Sequence, residues 1–311
     1  MLYLHTPLGM KVADLHCDLL WYLETDRKRT ENDPDAQCSI PQLIKGNVAF
    51  QTFAIFTTTA KGSIKKAALQ LSILRHLIDT YPQLRMMGAI ENVSGLLEED
   101  ENLSLLFQRM DQLTVPILYI SMTWNEENRF GGGNASKVGL KKDGEELLQY
   151  LSGKKIAIDL SHTSDWLGMD ILEFIDKNKL QITPIASHSN FRAITNVARN
   201  LPDVMAKEII RRKGVIGINF IRSFVGESKI ALIRHIEHGI QLGASKHLCF
   251  GSDFAPEIDL PPELGHLSPL YLPGFRDSSA FPQIIEFLSE HFPKDFIEDM
   301  AFQNFESFSK A

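Results

Sequence analysis

Eight short apolar runs punctuate this chain, near residues 11–16, 48–56, 85–91, 116–122, 155–161, 182–187, 214–220 and 247–252. Val, Ile, Leu, Phe, Ala and Met dominate them, as expected for parallel strands covered on both faces. Segments of helical period fill the intervals, among them SIKKAALQLSILRHLIDTY, DGEELLQYLSG and SDWLGMDILEFIDKN. In the last of these, Trp166, Leu167, Ile171, Leu172 and Ile175 recur at helical spacing and predict one apolar stripe, with Ser164 or Asp165 as cap.

Eight strand–helix units within 311 residues predict a single α/β domain over residues 1–311, a (β/α)8 barrel. An open doubly wound sheet would place a Gly-rich turn after its first strand, and DLHCDLLWY has none.

Polar side chains stand where five of these strands end: His16 and Asp18 in VADLHCD, Glu91 in MMGAIE, His162 in IAIDLSH, His188 in ITPIASH and Asp253 in LCFGSD. Singly, each has an ordinary reading. His-x-Asp arises by chance, a histidine at a strand end is usually a satisfied polar group, and GSD marks a turn or cap. Five strands delivering such groups at one relative position predict a metal site at the mouth of a barrel.

Residues i and i+2 of an extended strand share a face, so His16 and Asp18 can converge, with Asp14 deeper as a supporting carboxylate. Neighbouring strands lie about 4.8 Å apart, which lets His162 and His188 reach one ion. Glu91 falls between, where its two oxygens could bridge two ions. Imidazole and carboxylate ligands with open positions suit a reactive zinc site, with manganese, cobalt or iron as other divalent choices. Asp253 would lie beside the activated water and exchange its proton.

Composition narrows the partners. A hydrophobic fraction of 44% and a charged fraction of 23% are those of an ordinary soluble globular protein. A formal net charge of −7 leaves no basic surplus for nucleic acid or an anionic membrane. Cys17, Cys38 and Cys249 are an odd set without CxxC spacing, which fits a reducing compartment, and Cys17 reads as a packed core residue. The opening MLYLHTPLGMKVADLH lacks the basic and apolar regions of a signal peptide, and no apolar run approaches the roughly 20 residues of a membrane span. A cytoplasmic protein is expected; homodimer formation is left open.

Two long stretches, 124–142 and 254–279, interrupt the alternation and would lie at the C-terminal face of the barrel, the second as a candidate lid. Gly131–Gly133 reads as a flexible loop; with no GK[ST] after it, it is not a phosphate cradle.

Taken together, DLHCD, Glu91, IDLSHTS, ASHSNFRAI, ARNLPD, GVIGINF, GSDF and the closing FQNFESF make the chain resemble the membrane (renal) dipeptidase family over nearly its whole length. The pair LSH and SHSN followed by RNLPD is the most specific part. The resemblance implies a TIM barrel of the metal-dependent hydrolase type holding two zinc ions. His16 and Asp18 would hold one, His162 and His188 the other, with Glu91 as the bridge and Asp253 as the acid–base residue. It also implies that Arg199 receives the C-terminal carboxylate of a small dipeptide, a task suited to a guanidinium fork. The implied reaction is hydrolysis of dipeptides, including those ending in a D-residue, by zinc-bound hydroxide.

One segment departs from the family. Its better-known members carry Leu-Thr-His after strand four, with the histidine polarising the scissile carbonyl. This chain reads Met122–Thr123–Trp124–Asn125. Trp124 can donate one hydrogen bond but carries no charge, and Asn125 is a substitute donor. The missing signal peptide is a second departure, from the secreted, lipid-anchored members.

Lactonases, deaminases and phosphotriesterases share the barrel and metal pair, because fold does not fix reaction. Those enzymes commonly open with His-x-His and use a bridging lysine, whereas this chain has His-x-Asp and Glu91. A non-catalytic metal-binding barrel would be expected to have lost a ligand, yet all six positions carry competent side chains.

Overall fold

The computed structural model describes residues 9–260, 265 and 267–310. Eight strands form one sheet: β1 (Val12–Cys17), β2 (Val48–Phe56), β3 (Arg85–Glu91), β4 (Ile117–Ser121), β5 (Ala157–Asp159), β6 (Pro184–Ile185), β7 (Ile216–Ile218) and β8 (Leu248–Phe250). They pair in parallel in the order β6-β5-β4-β3-β2-β1-β8-β7, and a parallel bridge between Ala186 and Ile216 joins the two ends. The expected (β/α)8 barrel is therefore the fold. Strands β5 to β8 are shorter than their apolar runs, because the chain leaves the ladder early and turns at the barrel mouth.

Each strand buries both faces. Ala13, Leu15, Phe50, Ala89, Leu118, Tyr119, Ala157, Ile185, Val215 and Cys249 fill the barrel interior. The larger outer layer packs strand residues such as Phe53, Ile90, Ile120 and Ile158 against helical Leu74, Leu148 and Leu167. The C-terminal segment closes the opposite end. Phe305 stacks on Phe50 at 3.9 Å between ring centroids, and Arg85 lies over both rings. Asn304 donates to Leu248 O at 2.8 Å, tying this plug to β8.

Two local expectations need correction. In the helix Asp165–Asn178, Leu167, Ile171, Leu172 and Ile175 are buried, but Trp166 is 51% exposed and lies off the stripe. Ser164, not Asp165, is the cap, accepting from Leu167 N–H at 3.0 Å. Gly131–Gly133 is not a loose loop either. All three glycines are buried; a Cβ at Gly133 would lie 2.1 Å from Trp124 O, and one at Gly131 2.6 Å from a Leu167 methyl. Close packing, rather than flexibility, requires these glycines. Residues 261–264 and 266 of the candidate lid lie outside the described residues, as do residues 1–8 of the opening segment.

Candidate active site at the barrel mouth

The ends of β1, β3, β5, β6 and β8 bring all of the expected side chains to one place. On β1, Ala13 and Leu15 belong to the interior layer while Cys17, of the same parity, packs outside. The register against β2 shifts between Asp14 and Cys17. A break of this kind re-aims a side chain, and here it turns His16 into the mouth. Asp18 has already left the strand and stands as the N-cap residue of the helix Leu19–Thr25. Glu91 closes β3. His162 and Asp253 both adopt left-handed backbone, with φ of 66° and 60°. Such conformations cost non-glycine residues on the order of 1–3 kcal/mol and concentrate at functional sites.

The polar atoms converge. His16 Nε2 lies 3.4 Å from Glu91 Oε2, 3.7 Å from Asp253 Oδ1 and 3.9 Å from Asp18 Oδ2. On the other side, Glu91 Oε1 is 3.0 Å from His162 Nε2 and 3.7 Å from His188 Nε2. The two imidazole Nε2 atoms are themselves 3.1 Å apart. Glu91 thus presents one oxygen to each group. Three sets have ligand atoms close enough to share a cation: His16–Asp18–Glu91, Glu91–His162–His188 and His16–His188–Asp253.

The second nitrogen of every ring is held from outside. His16 Nδ1 donates to Tyr119 Oη at 2.7 Å, and that hydroxyl donates onward to Leu15 O. His188 Nδ1 donates to Ser187 Oγ at 2.6 Å, whose hydroxyl donates to Asp159 Oδ2. His162 Nδ1 meets Asn125 Oδ1 at 2.9 Å. Outer partners of this kind fix the tautomer and aim the free lone pair, as for metal-bound histidines. Three Nε2 atoms therefore face the carboxylates. Among the described residues His16 Nε2 is buried without a hydrogen-bond partner, and the Nε2 atoms of His162 and His188 stand 3.1 Å apart with no proton between them when both rings carry theirs on Nδ1. A cation satisfies both conditions, so the residues fit a metal.

Electrostatics agree. Burial by itself would keep the His16 ring neutral, but Glu91, Asp18 and Asp253 outweigh it and push its pKa up to about 10. Burial raises the Glu91 carboxyl, yet His16 and His162 overcome that and hold it well below its usual range. Burial pushes Asp18 and Asp253 up, with Glu91 adding like charge. Burial and then Arg199 push His162 down to about 4. Burial likewise pushes His188 down, so desolvated carboxylates stand beside two imidazoles held toward the neutral form, an environment that favours a cation.

Arg199 reaches the same site from the loop before the helix Asp203–Arg211 and is only 6% exposed. It donates to Ser189 Oγ and His188 O at 3.0 Å and to His162 Nε2 at 3.1 Å, while its Nε has no partner. Among the described residues no carboxylate forms an ion pair with it. Asp14 accepts from Ser252 N–H and Gln51 Nε2 below the site, the supporting place expected for it.

Sequence reasoning missed several supporting groups. Tyr119 lies within an apolar strand and Asp159 ends β5, and each is a polar group in an otherwise buried run. Asn219, at the exit of β7, repeats the strand-end pattern and donates to Asp253 Oδ2 at 2.7 Å.

Comparison with known proteins gives the lineage and the fold. The profile of the membrane dipeptidase family (peptidase family M19) matches residues 8–305. An uncharacterized protein in the pqqA 5' region of Klebsiella pneumoniae is 30% identical over 204 residues, covering 60% of this chain and 70% of that protein. An uncharacterized dipeptidase of Schizosaccharomyces pombe is 24% identical over 324 residues, 88% of this chain and 73% of its own length. Among solved structures, a metallo peptidase from Rhodobacter sphaeroides, liganded with a phosphinate mimic of the dipeptide L-Ala-D-Ala, superposes with a TM-score of 0.78 at 19% identity, covering 97% of this chain and 99% of that one. At that identity the superposition speaks for the fold, while the family profile, spanning nearly every residue, speaks for lineage. This chain belongs to the membrane dipeptidase family, metallopeptidases that hydrolyse peptide bonds.

Proposed function

We propose that this protein hydrolyses dipeptides, including those with a C-terminal D-residue, with two divalent transition-metal ions, zinc first among them. His16 and Asp18 would hold one, His162 and His188 the other, and Glu91 both. The observation that carries the reading is the set of three imidazoles locked from outside so that their Nε2 atoms face Glu91. When bound, such ions lower the pKa of a water from 15.7 to roughly 7 and polarise a carbonyl oxygen.

The remaining work falls to the chain. Asn219 engages Oδ2 of Asp253, leaving Oδ1 toward the cluster. Asp253 is thereby placed to take the proton of the attacking water and deliver it to the departing amine. Arg199 grips the substrate's C-terminal carboxylate. A buried guanidinium without a carboxylate partner is costly, and a substrate that neutralises it recovers that cost on binding. The requirement for a free carboxylate close to the ions restricts the enzyme to short peptides and disfavours lactone or phosphotriester substrates.

The whole chain acts as one domain in this reading. No helix among the described residues is long and apolar enough to cross a membrane, and all three cysteines are free and buried. The free cysteines support a reducing, cytoplasmic setting.

The test is metal analysis of the purified protein together with a screen of L,L- and L,D-dipeptides on zinc-loaded enzyme. About two equivalents of zinc and release of free amino acids are expected. Less than about one equivalent after reconstitution, or no cleavage of any dipeptide, would sink the proposal.

A further inference from the structure

We propose that Asn125 is a positioning residue for His162: its amide oxygen holds the ring in the tautomer whose Nε2 faces the ion site. This inference rests on the dipeptidase reading above. It also decides what the departure at Trp124–Asn125 does, for Asn125 then serves the metal ligand and does not donate to the substrate carbonyl.

The geometry is local and specific. His162 Nδ1 and Asn125 Oδ1 are 2.9 Å apart. On the far side of the ring, Arg199 Nη2 lies 3.1 Å from Nε2, and a guanidinium can only donate. Nε2 is therefore the acceptor, the proton sits on Nδ1, and the atom it meets must be the amide oxygen. The other two rings follow the same plan, with Tyr119 and Ser187 in the place of Asn125.

The backbone holds both partners in one clamp. Ala135 N–H donates to Asn125 O and Asn134 N–H to His162 O, each at 2.8 Å. Between them Gly133 packs so closely that a Cβ would lie 2.3 Å from Asn125 C. Gly133 also bridges to Thr163, next to His162. The buried glycines thus explain how a loop residue 37 positions away in sequence is registered against the ring. Trp124, the preceding residue, is turned to Phe56, with ring centroids 5.1 Å apart. Its ring also lies 6.2 Å from that of His162, tilted by 38°, but the hydrogen-bond partner of Nδ1 is Asn125.

Zinc titration with a competing chelator, run on wild type, Asn125→Ala and Asn125→Asp, tests this, with steady-state turnover at saturating zinc alongside. Asn125→Ala should weaken one of two zinc sites about 10–100-fold, the usual effect of losing an outer partner of a ligating histidine. Its kcat at saturating zinc should return close to wild type. Asn125→Asp keeps an acceptor and loses the amide donor, so it should bind zinc at least nearly as tightly as wild type. It also provides a folded comparison if the alanine variant is unstable. Unchanged zinc affinity in Asn125→Ala with depressed kcat at saturation would overturn the proposal and make the amide a donor to substrate. Equal zinc loss in both variants would overturn it as well, since the acceptor would not be what matters. Failure of wild type itself to bind zinc would instead remove the dipeptidase reading on which the inference rests.

Discussion

Asn219 donates its side-chain N–H to Oδ2 of Asp253 at 2.7 Å, so that Oδ1 is the oxygen facing His16, 3.7 Å from its Nε2. One oxygen is anchored and the other stays free to exchange a proton. Asp253→Asn should therefore lower turnover by about 10²–10⁴-fold while metal content stays nearly intact. Because His16, His188 and Asp253 also lie close enough to share an ion, the metal measurement is decisive. A variant that loses an equivalent of metal would make Asp253 a ligand.

His162 shares Glu91 Oε1 with His188. His162→Ala should cost about one of two metal equivalents, read by elemental analysis, and most of the activity. Full activity with both ions retained would remove His162 from the site.

Arg199→Ala should erase the preference for a dipeptide over its C-terminal amide, seen in the ratio of kcat/KM values. Arg199→Lys should retain part of that preference, since an ammonium supplies charge without the planar fork. Equal discrimination before and after the alanine change refutes the carboxylate-receptor role.

Gly217 sits where β7 meets the exit of β6, and a Cβ there would lie 1.9 Å from Ser187 O. The obstacle is backbone, which cannot rotate aside, and Ser187 is what orients His188. Gly217→Ala should destabilise the fold by about 2 kcal/mol or more in denaturant titration. It should also weaken metal binding; wild-type values for both would show that the barrel seam yields.

Glu101 accepts both guanidinium nitrogens of Arg109 at 2.6 Å. That hydrogen bonding holds its pKa at about 2, against an ordinary value of 4.5. A depressed folded pKa contributes stability present above 4.5 and lost as pH falls through about 2. The two side chains are 29% and 26% exposed, and solvent screening keeps the effect small. The thermal advantage of wild type over Arg109→Gln should be present at neutral pH and shrink on acidification; an advantage that grows in acid would contradict the assignment.

How much of this was legible before folding can be judged residue by residue. The strand ends carrying His16, Glu91, His162, His188 and Asp253 were readable because parallel strands buried on both faces stand out as apolar runs. Polar residues closing five of them at one level form a joint pattern that the ordinary reading of each alone does not explain. Parity alone was a poor guide at β1, where the register shift near His16 breaks the alternation. Trp166 was misplaced because helical spacing tolerates a neighbour of a buried residue that in fact faces outward. Gly131–Gly133 was misread because a glycine needed for close approach looks, in sequence, like one chosen for flexibility.

The sequence by itself determined the alternation of strands and helices, the ligand types and their common position at strand ends, and a charge balance with no basic surplus. These are properties of local pattern and chemistry. Only the tertiary structure decided the Nδ1 partners of the three histidines, which come from Tyr119, Asn125 and Ser187. It alone set the close approach of Gly133 and Gly217 to neighbouring backbone and the burial of Arg199 with no ion-pair partner among the described residues. Tyr119 and His16 are 103 residues apart in sequence. A hydrogen bond requires atoms within about 3 Å, and nothing in a linear pattern encodes which distant strands the closing barrel will bring that close.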